Sequence, residues 1–379
     1  MSNSSGPQSI LFFTSSSART GSEVLLFSLL TGLDRDTVTP YVYSFKKGEL
    51  LAELPGDIPY YLPYSKEKKW WKRVWRSVLK GLNIDPVVYQ LRALQRSVKA
   101  AIWYVNTIVV DERVLTLGQQ LGVRIVTHFH ELSNAYRFIR KDHLKLILRH
   151  SEVCIGCSNI VCEKIRDMGH ENVLLQYSFI DESAIDQQLE NGEISREELG
   201  ISPEVFVWVI SGTVTYEKGL DYLPQILTAL ERENCCILWL GRINEDGLYH
   251  YVQSVVQKRW PGKVIFTGEL KERYYQFIKL GDGLLMPSRE DSFSLVMLEA
   301  AYLGKPIVSF NSGGVNEFVN EARGIVVDSW NATDLAEGMK KVMARRLNND
   351  SISHDFEFTK WKQLVHFHNL IRTIGPAQI

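Results

Sequence analysis

Short apolar runs alternate along this chain with longer stretches of helical periodicity, and the runs are apolar at consecutive positions rather than at alternate ones. Strands covered on both faces need that pattern, so it predicts parallel α/β units. In the first half, strands are expected at "SILFFTSS", "VTPYVYSF", "AIWYVNTI", "RIVTHFH", "EVCIGCS" and "NVLLQYS". The alternation restarts with "VFVWVISGT", "CCILWLGR", "KVIFTGEL", "GLLMPSR", "KPIVSF" and "GIVVDS". Between the two series "DESAIDQQLENGEISREELG" is acidic, poor in core residues, and reads as a linker. The expected architecture is α/β, with two doubly wound, Rossmann-like domains at residues 1–185 and 186–350. A C-terminal helix within 351–379 is expected to pack back towards the first domain. Ligands of such sheets bind at the carboxyl ends of the strands, so the site is expected in a cleft where the two sheets face each other.

Composition changes this picture little. A chain of 379 residues with 45% hydrophobic and 23% charged residues can bury two cores of ordinary size. A net charge of -1 gives no reason to expect a nucleic-acid partner. No apolar run approaches bilayer length and "MSNSSGPQ" lacks a basic n-region, so a cytoplasmic protein is expected. Cys154, Cys157 and Cys162, like Cys235 and Cys236, sit in or beside apolar runs and read as buried thiols rather than metal ligands.

The candidate chemistry concentrates in "SREDSFSLVMLEAAYLGKPIVSF". Glu290 and Asp291 precede an apolar helix and Glu299 lies inside it, where a carboxylate is costly unless something satisfies it. The N–H groups near Leu295 and Val296 would form an anion site at the start of that helix. Carboxylates accept hydroxyl hydrogen bonds, and sugars and ribose offer many. Glu290 or Asp291 as a helix cap, with Glu299 facing solvent or an internal partner, fits the same pattern.

The segment resembles the Glu-x7-Glu signature of the retaining, nucleotide-sugar-dependent glycosyltransferases with the GT-B fold (family 4, group 1). Aligned on Phe293, Asp291 takes the first acidic position and Glu299 the second. The resemblance implies that Asp291 reaches hydroxyls of the donor sugar and Glu299 holds the ribose. The backbone of Phe293, Ser294, Leu295 and Val296 would contact sugar and phosphates. "ISGTVTYEKGLDYLPQIL" is similar to the family's "EKG" segment, so Gly212 and Lys218 match positions at the donor phosphate. Thr213 replaces the usual arginine, and Arg242 or Arg289 is a candidate to supply that charge. "NSGGVNEFV" resembles the Gly-Gly-x-Pro-Glu turn, with Gly313, Gly314 and Glu317 matching and Asn316 in place of proline. Glu269 and Leu270 would neighbour the base.

In the first half, "RTGSEVLLFSLLTGL" resembles the family's glycine-rich loop and first helix, with Gly21 matching the second glycine and Thr20 replacing the first. Thr20 or Ser22 as an ordinary helix cap reads equally well. "VTHFHEL" places His128, His130 and Glu131 at a strand's carboxyl end and resembles the family's His-x-His-Glu segment. It implies His130 beside the donor sugar and β-phosphate, stabilising charge on the leaving diphosphate, with His128 the lesser candidate. Histidines packed together or holding a metal are the other readings, and no third ligand stands out. Asn106 and Thr107 are candidates for acceptor contacts, and acceptor choice falls to loops such as residues 136–140.

"KEKKWWKRVWRSVLKGL", residues 66–82, reads as a helix with Trp71, Val74, Trp75, Val78, Leu79 and Leu82 on one side. Lys68, Lys69, Lys72, Arg73, Arg76 and Lys80 line the other. An interfacial membrane anchor, peripheral on the inner face of the cell membrane, and a core-facing helix with a basic surface both fit.

The resemblance as a whole implies transfer of a hexose or deoxyhexose from a UDP-, GDP- or dTDP-sugar to a hydroxyl of a glycan or lipid-linked acceptor, with retention and without metal or cofactor. A sugar-nucleotide epimerase or hydrolase on the same fold, and a catalytically silent scaffold subunit, remain open at this stage.

Overall fold

The computed structural model describes residues 6–65, 70–270, 272–345 and 356–375. The chain divides into two compact units: Met1–Phe179 with Lys360–Ile379, and Ile180–Thr359.

Unit 1 is built on seven parallel strands: β1 (Gln8–Thr14), β2 (Val38–Ser44), β3 (Tyr60–Tyr61), β4 (Ile102–Val105), β5 (Arg124–Phe129), β6 (Val153–Gly156) and β7 (Val173–Leu175). Their order is β3-β2-β1-β4-β5-β6-β7. Each apolar run foreseen from the sequence is one of these strands, and the two-residue β3 is an addition at the edge. Ile10, Leu11, Phe12 and Phe13 are all fully buried, as are Ile102, Trp103 and Val105 beside them, because helices cover both faces. The sheet reverses its winding between β1 and β4, whose pairing runs from Ile10↔Ile102 to Phe13↔Val105. Helix Lys360–Ile374 belongs to this unit. It lies on helix Gly21–Gly32, where Gly32 has no side chain and so admits Leu364, and buries Phe367 against Tyr104.

Unit 2 has six parallel strands: β8 (Phe206–Ser211), β9 (Cys235–Leu240), β10 (Val264–Gly268), β11 (Gly283–Met286), β12 (Ile307–Phe310) and β13 (Gly324–Val327). They are ordered β10-β9-β8-β11-β12-β13, so the reversal lies between β8 and β11. Trp208, Trp239 and Phe310 fill the core on one face, with Leu223, Ile226, Leu335 and Met339 from the covering helices.

One expectation is corrected here. The acidic stretch 181–200 is not a linker, because Glu182–Glu190 is a helix of unit 2. Asp181 caps it by accepting from the Ala184 N–H, and Ile185 is its one buried side chain. Gln188 accepts from the Tyr275 N–H at 2.6 Å and Asp186 accepts from the Tyr302 hydroxyl, so polar contacts dock a helix that lacks an apolar stripe. The chain passes between units at Phe179 and Ile180 instead.

Candidate functional site

The centre of unit 2's site is the reversal point itself. β8 ends at Ser211, and Gly212 follows with φ +137°, a backbone open only to glycine without strain. The next turn places Gly219, at φ +82°, against the Pro287 carbonyl that leaves β11, where any Cβ would overlap that oxygen. This close approach brings Lys218 and Asp291, 73 residues apart, to 2.6 Å between Nζ and Oδ1. The stem of Lys218 lies along Gly212, with its Cγ, Cδ and Cε at ordinary contact distance from where a Cβ would stand.

Asp291 is held by its backbone as well as by Lys218. Its N–H donates to Ser312 O at 2.8 Å, and its carbonyl accepts from the Gly314 N–H at 3.0 Å. A Cβ on Gly314 would collide with the Ser292 carbonyl oxygen, so the Gly-Gly turn and the Asp291 loop fit only without one. Gly314→Ala is expected to cost roughly 1–3 kcal/mol of unit 2 stability through that overlap, readable as a lower midpoint in urea unfolding. An unchanged midpoint would remove the turn from the framework of the site. Asp291 Oδ2 and Ser312 Oγ are buried and have no hydrogen-bond partner among the described residues. Two unsatisfied polar atoms on neighbouring turns mark a place where a ligand's hydroxyl groups would be bound.

Helix Leu295–Tyr302 starts just beyond this loop. Asp291 is not its cap. The N-cap is Ser294, whose side chain makes no cap bond, so the first-turn N–H groups, including those of Leu295 and Val296, keep their donor capacity. The Phe293 side chain is buried against Phe318 and Phe358, which leaves only its backbone for a ligand.

Glu299 is buried on this helix and does not face solvent. Tyr274 donates to its Oε2 at 3.0 Å and Tyr275 to its Oε1 at 3.3 Å. The Tyr274 hydroxyl is also 2.8 Å from Ser211 Oγ, which ties Glu299 to the end of β8. Burial pushes the Glu299 carboxyl up to about 7, although the two phenols act in the opposite direction. Ser211 and Gly212 are adjacent, so the Glu299 cluster and the Lys218–Asp291 pair meet the same strand end. Sequence reasoning did not find Ser211, Tyr274, Tyr275 or Ser312; the only trace of the phenols was the doublet in "RYYQF".

Other candidates fall outside this cluster. Arg289 is already committed: it pairs with both oxygens of Asp221 at 2.9 and 2.8 Å and donates to the Tyr216 carbonyl. Its guanidinium lies 3.6 Å from the Tyr216 ring centre and 4.4 Å from that of Tyr222. Replacing the missing charge at Thr213 would require Arg289 to give up an ion pair and two aromatic faces. Arg242 is exposed, and its carbonyl accepts from Val214 N beside Gly212. Glu269 is exposed and Leu270 half-buried after β10, without a described link to the pair.

Unit 1 gathers its own polar group at the β1/β4 reversal and the end of β5. Asn106, buried after β4, donates to Ser22 O at 3.0 Å and presents Oδ1 to His130 Nε2 at 3.4 Å. Because Asn106 can only accept through Oδ1, this contact assigns the proton to Nε2 of His130. Burial pushes His130 down to about 3, so its imidazole is neutral at physiological pH. His128 packs against it with ring centres 3.9 Å apart and pairs through Nδ1 with the Tyr104 hydroxyl at 2.7 Å. Glu131 accepts from Thr107 and from the His130 N–H, and burial pushes it up to about 7. Gly21 is the first residue of its helix, with open space where a Cβ would be. Neither Thr20 nor Ser22 caps that helix in the ordinary way, because both hydroxyls go to the buried Glu23 carboxylate. No group of three His, Cys, Asp or Glu side chains could hold a metal among the described residues.

Residues 191–355 match the family model described as Glycosyl transferases group 1. Unit 2 carries a group 1 glycosyltransferase domain. The domain contains the Lys218–Asp291 pair, the Glu299 cluster and the Gly-Gly turn. Two curated relatives match this chain in part. An O-antigen chain mannosyltransferase C of Escherichia coli is 30% identical over 166 residues, 42% of this chain and 41% of that protein. An uncharacterized glycosyltransferase of Methanocaldococcus jannaschii is 28% identical over 153 residues, 39% of this chain and 38% of that protein. The chain thus spans about two fifths of the length of the curated relatives it matches. Among solved structures, Anabaena HepE in complex with UDP is similar with a TM-score of 0.78 at 17% identity, covering 97% of this chain and 100% of that one. The fold is accordingly that of the GT-B glycosyltransferases, two α/β units with parallel Rossmann-like sheets.

Proposed function

We propose that the group 1 domain binds a nucleotide-diphosphate sugar and that the protein transfers its hexose or deoxyhexose to a hydroxyl of a glycan or lipid-linked acceptor. The observation that carries this reading is the convergence of Lys218, Asp291 and the Glu299 cluster on one strand end, at the point where unit 2's sheet reverses. Doubly wound sheets bind nucleotides there. Lys218 and the first-turn N–H groups at Leu295 and Val296 take the diphosphate, which needs no metal when a lysine and a helix start share its charge. Asp291 Oδ2 and Ser312 Oγ accept from or donate to the sugar's hydroxyls, and Glu299 accepts from the ribose in exchange for a phenol. Leu270 and the chain beside Glu269 border the base. On unit 1, Gly21 leaves backbone open to a substrate, and His130 is a neutral imidazole whose Nε2–H is held by Asn106. Retention of the anomeric configuration follows the resemblance of the Asp291 to Glu299 spacing. Anabaena HepE was crystallised with UDP, and the Escherichia coli relative is an O-antigen mannosyltransferase, which supports the substrate class.

The test is thermal stabilisation by UDP, GDP, dTDP, CMP and ADP. A ligand at a hundredfold its dissociation constant adds about 2.7 kcal/mol, a clear rise in melting temperature. One nucleoside diphosphate is expected to stabilise the wild type and not Glu299→Ala. Stabilisation by none of them would overturn the reading and favour a scaffold role. Sugar release or epimerisation from the bound donor without acceptor would instead give a hydrolase or epimerase.

A further inference from the structure

Helix Trp70–Gly81 contributes almost nothing to the core of unit 1, since Leu79 is its one buried side chain. The core-facing reading of this helix is thereby corrected. At 100° per residue, Trp70, Val74, Val78, Trp71, Trp75 and Leu79 occupy one half of the helix surface in that angular order. Lys72, Arg76, Lys80 and Arg73 occupy the other half. Leu79 sits at the border, so the helix is held by an edge and its apolar half is turned outward. Trp70 is 74% exposed, Trp71 50% and Val74 52%, with Leu82 just beyond the helix at 65%. Trp75 leans edge-on against Tyr89 at 6.1 Å, which leaves a shallow apolar groove beside Trp71. The helix has no acidic residue. Arg73, Arg76 and Lys80 make no ion pair among the described residues. Lys68 and Lys69, placed on the basic side from the sequence, lie outside the described residues.

We infer that this helix is a docking surface for an anionic phospholipid bilayer. A protein partner would need an apolar patch with an acidic rim, whereas a lipid surface supplies anionic headgroups beside acyl chains without any shaped complement. Interfacial helices meet it with tryptophans at headgroup depth and basic side chains lying across the phosphates. Lys72 already lies over the Trp71 ring at 5.6 Å, so cation and indole present one continuous face. No helix among the described residues is long and apolar enough to cross a membrane, and the contact is therefore peripheral. It would keep a lipid-linked acceptor within reach, although the docking itself does not depend on the donor assignment.

Vesicle sedimentation of the full chain, with no nucleotide present, separates this inference from the proposed transfer reaction. Wild type is expected to pellet with vesicles of phosphatidylcholine and phosphatidylglycerol and at least about tenfold less with phosphatidylcholine alone, the difference shrinking at high salt. The exposed substitutions Trp70→Ser with Trp71→Ser, and separately Arg73→Glu with Lys80→Glu, are each expected to lower binding about tenfold or more with an unchanged melting temperature. Failure to pellet with anionic vesicles overturns the inference, as does binding that survives both pairs of substitutions or is equal on neutral vesicles. A concentration-dependent dimer that the tryptophan pair abolishes would assign the face to a second copy of the chain instead.

Discussion

Lys218→Ala is expected to lower kcat/KM by about 10²–10³-fold and to lower the melting temperature as well, since it leaves the Asp291 carboxylate unpaired. The lysine is partly exposed, and its ammonium pairs with Asp291. Its effect would be electrostatic. A charge-assisted contact to a diphosphate strengthens as negative charge builds on the leaving group, so removing it acts on the transition state more than on ground-state binding. The same change leaves Asp291 with neither carboxylate oxygen paired, because Oδ2 already has no partner among the described residues. The two substitutions must therefore be non-additive. Lys218→Ala with Asp291→Ala together should cost less than the sum of the two in log kcat/KM, measured from initial rates with the diphosphate sugar identified by stabilisation. Additive losses would mean that the ion pair is incidental to the site. Full activity in Lys218→Ala would remove the lysine from the phosphate.

The second large effect concerns Glu299 and pH. Its carboxyl is raised to about 7 in the folded chain by burial, against roughly 4.3 in an unfolded one. A raised pKa means that the folded state holds a proton which the unfolded state has already released. The stability linked to that proton is present in full below about pH 4.3 and is lost as pH rises to about 7, on the order of 3–4 kcal/mol over the window. Glu131 is raised by the same cause and adds a fall of the same sign from unit 1. The comparison that isolates Glu299 is thus wild type against Glu299→Gln. In urea unfolding between about pH 4.5 and 8, the wild type is expected to lose stability relative to the variant as pH rises, since the buried histidines, which act with the opposite sign, are common to both. Nucleotide binding should move the other way. Ribose hydroxyls donate to the carboxylate, so affinity rises as Glu299 ionises through pH 7, and Glu299→Gln should bind weakly with a flat profile. A wild-type profile identical to that of the variant would separate Glu299 from both effects.

The strands and the α/β class were legible along the chain. Every foreseen strand forms, because a buried parallel strand is an uninterrupted apolar run whose signal is entirely local. The carboxylates at 291 and 299 also stood out, since acids beside an apolar helix are conspicuous against their neighbours, whereas Lys218 and the Gly-Gly turn were picked out only by resemblance to the family's segments. The amphipathic helix at Trp70–Gly81 was equally visible, because angular segregation of side chains is a property of sequence alone. Which way its apolar half faces was not, because that depends on what packs against it.

What the sequence determined by itself, then, was secondary structure and the α/β class. Tertiary structure alone decided strand order, and with it the reversal between β8 and β11 that makes Ser211 and Gly212 a meeting point. It also turned Arg289 to Asp221 rather than to a ligand, gave Glu299 two phenols from residues about 25 positions away, and made the acidic stretch after Phe179 a docked helix. The physical reason is common to all of these. Hydrogen bonds and ion pairs between distant segments leave no period in the sequence, because their geometry exists only after the sheet has ordered its strands.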